Sequence, residues 1–162
     1  MMDKEKFHIK EITPEETYLL RHQILRPHQS FAACQYDTDH DADTFHLGAF
    51  TKEKLIGTAS FYHEPTLVIV GAHSYRLRAM GVLQEYRGRS AGRALILDGQ
   101  KRIKNAGGDL LWCKGRTSVQ PFYEKLGFSP YGDVFDYPPT GPHIILYKKL
   151  FKEEETCLNK MF

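Results

Sequence analysis

Gln84-Glu85-Tyr86-Arg87-Gly88-Arg89-Ser90-Ala91-Gly92-Arg93 is the stretch of this 162-residue chain whose surroundings decide the fold. Before it, Tyr75 to Val82 alternates side chains as a strand does, and Gly81 there marks a bulge or a close backbone approach. After it, Ser90 to Ala106 carries Ala91, Ala94, Leu95, Leu97 and Ile103 at roughly helical spacing and ends in Gly107-Gly108, a left-handed stop. A strand, a tight turn and a helix bring several backbone N–H groups and a helix N-terminus to one spot, which suits a phosphate. Gly88 and Gly92 allow a ligand close to the backbone, Ser90 adds a hydroxyl, and Arg87, Arg89 and Arg93 add positive charge. The competing reading is a basic loop ahead of an amphipathic helix.

The flanks extend the pattern on both sides. Phe7 to Thr13 alternates as a strand, and Thr13-Pro14-Glu15-Glu16 supplies a cap, a first-turn proline and acidic residues for a helix to about Leu25, ahead of Arg26-Pro27. Beyond an irregular polar stretch, 28–43, Phe45 to Phe50 and Leu55 to Tyr62 read as a hairpin across Thr51-Lys52-Glu53-Lys54. Asp109 to Cys113 is a short buried strand. Val119 to Leu126 is a short helix opened by Ser118 and closed by Gly127, and strands near Ser129 to Phe135 and His143 to Leu150 follow. This order mixes a meander with a strand-helix-strand crossover. It predicts an α/β (α+β) domain over 1–150, a central mixed sheet with helices on both faces, and a tail over 151–162.

Composition narrows the function classes. Hydrophobic residues make up 41% and charged residues 26%, as in ordinary globular domains, and 22 basic against 20 acidic residues leave a net charge of +2 without a basic stripe. Nucleic acid is therefore not the expected partner. The densest basic group, Arg76, Arg78, Arg87, Arg89 and Arg93, falls around the phosphate turn. The charged start lacks an apolar leader and no run is long enough for a membrane span, so a cytoplasmic protein is expected. Cys34, Cys113 and Cys157 show no metal or redox spacing, and Cys113 reads as strand packing. Asp37, Asp39, Asp41 and Asp43 mimic the start of a calcium loop, but Ala42 and Gly48 occupy its glycine and glutamate positions. No metal is expected, and the four carboxylates read as a solvated acidic loop.

Two known phosphate loops do not fit, since the stretch has neither Gly-Lys-Ser/Thr nor Gly-x-Gly-x-x-Gly after the first strand. It resembles instead the Arg/Gln-x-x-Gly-x-Gly/Ala signature of the Gcn5-related N-acetyltransferase (GNAT) superfamily, with Arg87 and Gly92 in register and Ser90 in place of the middle glycine. Ala79-Met80-Gly81-Val82 resembles the family strand beside the pantetheine arm, and Phe122-Tyr123-Glu124-Lys125-Leu126-Gly127-Phe128 resembles its Tyr-x-x-x-Gly-Phe hallmark. Leu-Arg-His-Gln-Ile-Leu-Arg-Pro within Arg21 to Phe61 is similar to an uncharacterised bacterial branch of that superfamily.

The resemblance implies an acetyl-CoA-dependent N-acetyltransferase acting on a small amine or an exposed protein amine. Its cofactor site would comprise Met80, Gly81, Val82, Arg87, Gly88, Arg89, Ser90, Ala91, Gly92 and Arg93, with backbone N–H near Met80 to Val82 polarising the thioester. Tyr123 would return a proton to the leaving thiolate, the phenol near ~10 being reasonably matched to a thiol near ~8.5. The strand lacks the glutamate base that some relatives carry, leaving His63, Glu64, His73, His143 or a water chain as candidates. Arg116 stands where many relatives have an asparagine and does not inherit that role. A CoA-binding sensor without transferase activity is the alternative, and the tail with the last two strands offers a surface for dimerisation or for an acceptor.

Overall fold

Thr13 ends one element and starts the next. Its hydroxyl accepts from Glu16 N–H while the Glu16 carboxylate accepts from Thr13 N–H, a reciprocal cap that satisfies two donors at a helix end. The computed structural model, which describes residues 7–66, 68–69, 71–138 and 140–150, thus runs from β1 (His8–Ile12) into α1 (Pro14–Leu20). Arg21–Leu25 continues as a π turn, closed by Arg26 N–H on Arg21 O at 3.0 Å, and ends ahead of Pro27 as the proline rule predicts.

Seven strands form one mixed sheet in the order β1-β2-β3-β4-β5-β7-β6. The remaining elements are β2 (Phe45–Thr51), β3 (Lys54–His63), β4 (Ser74–Val82), α2 (Ala91–Asn105), β5 (Leu110–Arg116), α3 (Gln120–Lys125), β6 (Ser129–Asp136) and β7 (Pro142–Lys149). The described residues fall into two compact units. One holds the described part of Met1–Tyr62 with Leu77–Gly99, the other that of His63–Arg76 and Gln100–Phe162.

In the first unit β1, β2 and β3 pair antiparallel, and Lys52 takes φ 53° in the hairpin turn. The alternation of β3 shows how the helices lie. Ser60 and Tyr62 point to Arg21 at the end of α1, whereas Phe61 points to α2, where a Cβ on Gly99 would lie 2.2 Å from its ring. Helices therefore cover both faces of these strands, as the strand order predicts. In α2 the fully buried residues are Leu95, Ile96 and Ile103, while Leu97 is 40% exposed. The apolar face is thus rotated from the one expected, with Ile96 rather than Leu97 facing inward.

In the second unit the start of β4 pairs parallel with β5, and β7 runs antiparallel between β5 and β6. The crossover helix α2 ends at Gly107, φ 87°, the expected left-handed stop. Ser118 does not cap α3: a 3-10 turn over Thr117–Val119 intervenes, Val119 takes the cap position without a side-chain bond, and Pro121 sets the first turn. The far end does stop at Gly127, φ 93°, where the Lys148 ammonium donates to the Leu126 carbonyl at 2.9 Å. Cys113 is buried strand packing, as expected, and Cys157 with the tail 151–162 lies outside the described residues.

Candidate active site

The turn from β4 to α2 is built from left-handed and exposed residues. Leu83 N–H donates to Ile56 O at 2.8 Å, a 3-10 turn covers Gln84–Tyr86, and Gly88 and Ser90 take φ 77° and 73°. Ser90 O accepts from Ala94 N–H at 3.0 Å, so the helix starts there and the amides of Ala91, Gly92 and Arg93 precede its first internal acceptors. No acidic residue stands in the first turn. Arg87, Arg89, Ser90 and Arg93 are exposed, Gly92 is half-buried and Ala91 is buried. Arg87 Nε donates to Val82 O at 3.0 Å, which fixes its guanidinium at the strand end.

Donors, positive charge and a backbone that only small side chains suit are what a pyrophosphate needs, so these residues fit a CoA-type ligand. Lys54 and Arg89 both lie over the Tyr86 ring, at 5.5 and 5.8 Å, and extend the positive strip. Sequence reasoning missed Lys54 because the hairpin turn is remote in the chain from the stretch that holds Tyr86 and Arg89.

Within β4 the left-handed residue is Ala79, φ 53°, not Gly81. Gly81 serves close packing: a Cβ there would lie 2.9 Å from Ile24 of the π turn. Met80, Gly81 and Val82 thus follow directly on a left-handed residue within the strand. The arginine grouping needs correction as well. Arg76 belongs to the second unit, where it pairs with Glu64 at 3.2 Å and lies over Trp112, while Arg78 lies over Tyr36 and Tyr62. A strand advances about 3.3 Å per residue, so nearness in sequence to the turn does not bring Arg76 to it.

The larger correction concerns the acidic loop. Asp37, Asp41 and Asp43 are exposed, but Asp39 is buried. Its carboxylate accepts from Arg21 Nη1 and Nη2 (2.7 and 3.0 Å), from the Tyr62 hydroxyl (2.6 Å) and from Tyr36 N–H (2.9 Å). Burial pushes its pKa up, and these hydrogen bonds outweigh that and hold it below the usual value. Arg21 also donates to Ser60 Oγ and Cys34 O. His46 lies on β2 opposite Ser60, with Nε2 2.9 Å from the Asp39 carbonyl and Nδ1 2.7 Å from Ser60 Oγ. The carbonyl can only accept, which makes Nε2 the protonated nitrogen and lets the Ser60 hydroxyl donate to Nδ1. Burial lowers the His46 pKa. The legible signal was a charged residue among the apolar positions of the first helix.

Tyr123 belongs to the second unit. It is 7% exposed, its hydroxyl pairs with Cys113, and Phe122 and Phe128 meet its ring edge-on. Burial pushes its pKa well above 10, so the phenol stays protonated at neutral pH. Among the base candidates, His63 and His73 are exposed with ring centroids 6.1 Å apart, and Glu64 is taken up by Arg76. His143 is buried, with Nδ1 2.8 Å from Gly141 O. Arg116 is exposed. Among the described residues no group of three His, Cys, Asp or Glu side chains is arranged to hold a metal, and no helix is long and apolar enough to cross a membrane.

A turn of this kind between a strand and a helix, in a mixed sheet of this order, defines a class. Residues 9–128 match the model of the Acetyltransferase (GNAT) family, and the chain belongs to that family of acyl-CoA-dependent acetyltransferases. It is 42% identical over 142 residues to the Uncharacterized N-acetyltransferase YitI of Bacillus subtilis, covering 88% of this chain and 95% of that protein. A putative N-acetyltransferase from Lactobacillus plantarum has a similar crystal structure, with TM-score 0.73 at 20% identity, over 90% of this chain and 99% of that one. An aminoglycoside 6'-N-acetyltransferase complexed with coenzyme A superposes with TM-score 0.67 at 16% identity, over 90% and 98% of the two chains. At such identities these two structures bear on the fold alone.

Proposed function

We propose that the protein transfers an acetyl group from acetyl-CoA to a primary amine, carried by a small molecule or exposed on a protein, with residues 1–150 acting as one catalytic domain. The observation that carries this reading is the turn Arg87–Arg93, where helix-terminal amides and arginines meet no first-turn carboxylate. Acetyl-CoA would supply a thioester-activated acetyl group and leave as the thiol. Arg87, Gly88, Arg89, Ser90, Ala91, Gly92 and Arg93 hold the pyrophosphate through backbone donors and charge. Met80, Gly81 and Val82 offer backbone groups to the pantetheine arm and the thioester oxygen, their direction set by the left-handed Ala79.

Tyr123 acts as the acid. Burial keeps the phenol protonated at neutral pH and makes it a weaker acid than an ordinary phenol, so its proton passes to the thiolate across a wider gap than the ordinary pKa values give. Of the candidate bases, Glu64 is already engaged by Arg76, and the neutral tautomer of His143 has Nδ1 donating to the Gly141 carbonyl and Nε2 as the acceptor nitrogen.

Calorimetric titration of acetyl-CoA into the wild type and Tyr123→Phe, followed by thiol release with a panel of amines, tests both parts. Equal binding with turnover lowered roughly 100-fold in the variant supports the acid role. Equal turnover removes Tyr123 from the chemistry, and absence of acetyl-CoA binding overturns the reading.

A further inference from the structure

Three guanidinium groups of the first unit converge on one ring. The Cζ atoms of Arg21 and Arg78 both lie 4.4 Å from the Tyr36 centroid, and that of Arg26 lies 5.4 Å away. Arg21 is neutralised by Asp39, whereas neither Arg26 nor Arg78 forms an ion pair with a described carboxylate. Arg26 spends Nε on the Tyr36 hydroxyl and Nη1 on Gln29 Oε1, both at 3.0 Å, which fixes its plane and leaves Nη2 available. Arg78 donates no hydrogen bond to a described residue; it only lies over Tyr36 and Tyr62. Tyr36 is itself anchored, its N–H donating to Asp39.

Both arginines are half-buried, where two like charges without a counter-ion repel more strongly than in open water. Stacking on tyrosine offsets part of this and uses no N–H. Two cations held within 5.4 Å of one ring centroid, each with N–H groups to spare, supply the charge and the donors that an oxyanion needs. Arg78 directly precedes Ala79 on the strand that continues into Met80–Val82, and the cofactor's phosphates already have their own donors at Arg87–Arg93.

We infer that Arg26 and Arg78, set on Tyr36, receive an anionic oxygen group, a carboxylate or a phosphate, on the acceptor. This rests on the amine-acetylation reading above, and the acceptor is then an amine that also bears an acid group.

Proton–nitrogen correlation spectra of the arginine Nε–H groups, with the full chain free and CoA-loaded, test it against N-acetylglycine, inorganic phosphate and the neutral N-acetylglycinamide. The expected result is a saturable shift of the Arg26 and Arg78 signals with an anion and none with the amide. The anion that saturates first separates carboxylate from phosphate. In Arg78→Met the Arg26 shift is lost while the buried Arg21 signal stays, which reports an intact fold. In a thiol-release assay, Arg78→Met raises KM for lysine roughly 10- to 100-fold relative to cadaverine, which lacks the carboxylate. An equal response to the amide, or no saturable shift with either anion, overturns the inference even if acetyl-CoA is turned over. Failure of CoA to bind would instead strike the transferase reading, and the spectra of the free protein would still decide the anion site.

Discussion

Arg21 and Asp39, 18 residues apart, form a fully buried bidentate pair with Nη1–Oδ2 at 2.7 Å and Nη2–Oδ1 at 3.0 Å. The pair ties the end of the first helix to the loop before β2. It also fixes Tyr36, Ser60 and Tyr62, which surround the strand residue Arg78 or bond the pair directly. Asp39→Ala would leave the Arg21 charge buried without its partner. The expected loss is about 3–5 kcal/mol in urea unfolding, against under about 1 kcal/mol for an exposed pair. A loss in the lower range would mean that water reaches Arg21 in solution.

Acid should weaken the first unit in two stages. His46, ordinarily at 6.5, is lowered first by burial, with the charges of Arg21 and His40 acting in the same direction and Asp39 acting against them. The unfolded chain therefore binds this proton before the folded one does, so the contribution is complete above 6.5 and declines as pH falls towards the lower folded value. Asp39 adds a second decline below its ordinary 3.8, since its folded pKa is depressed. In His46→Gln the urea midpoint should change less between about pH 7 and about pH 5 than in the wild type. Identical slopes would assign the early decline to other histidines.

Ser90 at φ 73° carries strain that glycine would not. Ser90→Gly relieves on the order of 1 kcal/mol of left-handed strain, offset in part by the freer unfolded chain. The unfolding midpoint should hold or rise slightly, and CoA should bind at least as tightly by calorimetry. Weaker binding would show that the serine hydroxyl contributes a bond of its own.

Gly99→Ala should be costly despite the high helix propensity of alanine. The added carbon would lie 2.2 Å from Phe61, whose ring is fully buried, and overpacking of this kind costs about 1–3 kcal/mol. Phe61→Leu in the same background should recover part of the loss, and a neutral Gly99→Ala would show that α2 shifts freely on β3.

Local signals made most elements legible. Thr13-Pro14-Glu15-Glu16 marks a helix start, Gly107 and Gly127 mark helix stops, and Arg87 to Gly92 marks a phosphate turn, each through contacts within a few residues. What escaped depends on distance in the chain. Asp39 looks like one of four solvated carboxylates until Arg21, Ser60 and Tyr62 are folded around it, and Ile96 looks no more buried than Leu97 until α2 is docked. The left-handed backbone at Ala79 has no sequence mark, because alanine is not a residue that advertises a positive φ.

The π turn at Arg21–Leu25 places one more residue in the helix than α winding holds, between the buried Arg21 and the ring-bound Arg26. Regular winding of the same five residues would rotate everything beyond them by up to about 100°. Ile24 would leave the space that Gly81 keeps open for it, and Arg26 would swing off Tyr36. This segment is therefore a dial: its winding, more than the identity of its exposed side chains, is what a working variant has to preserve.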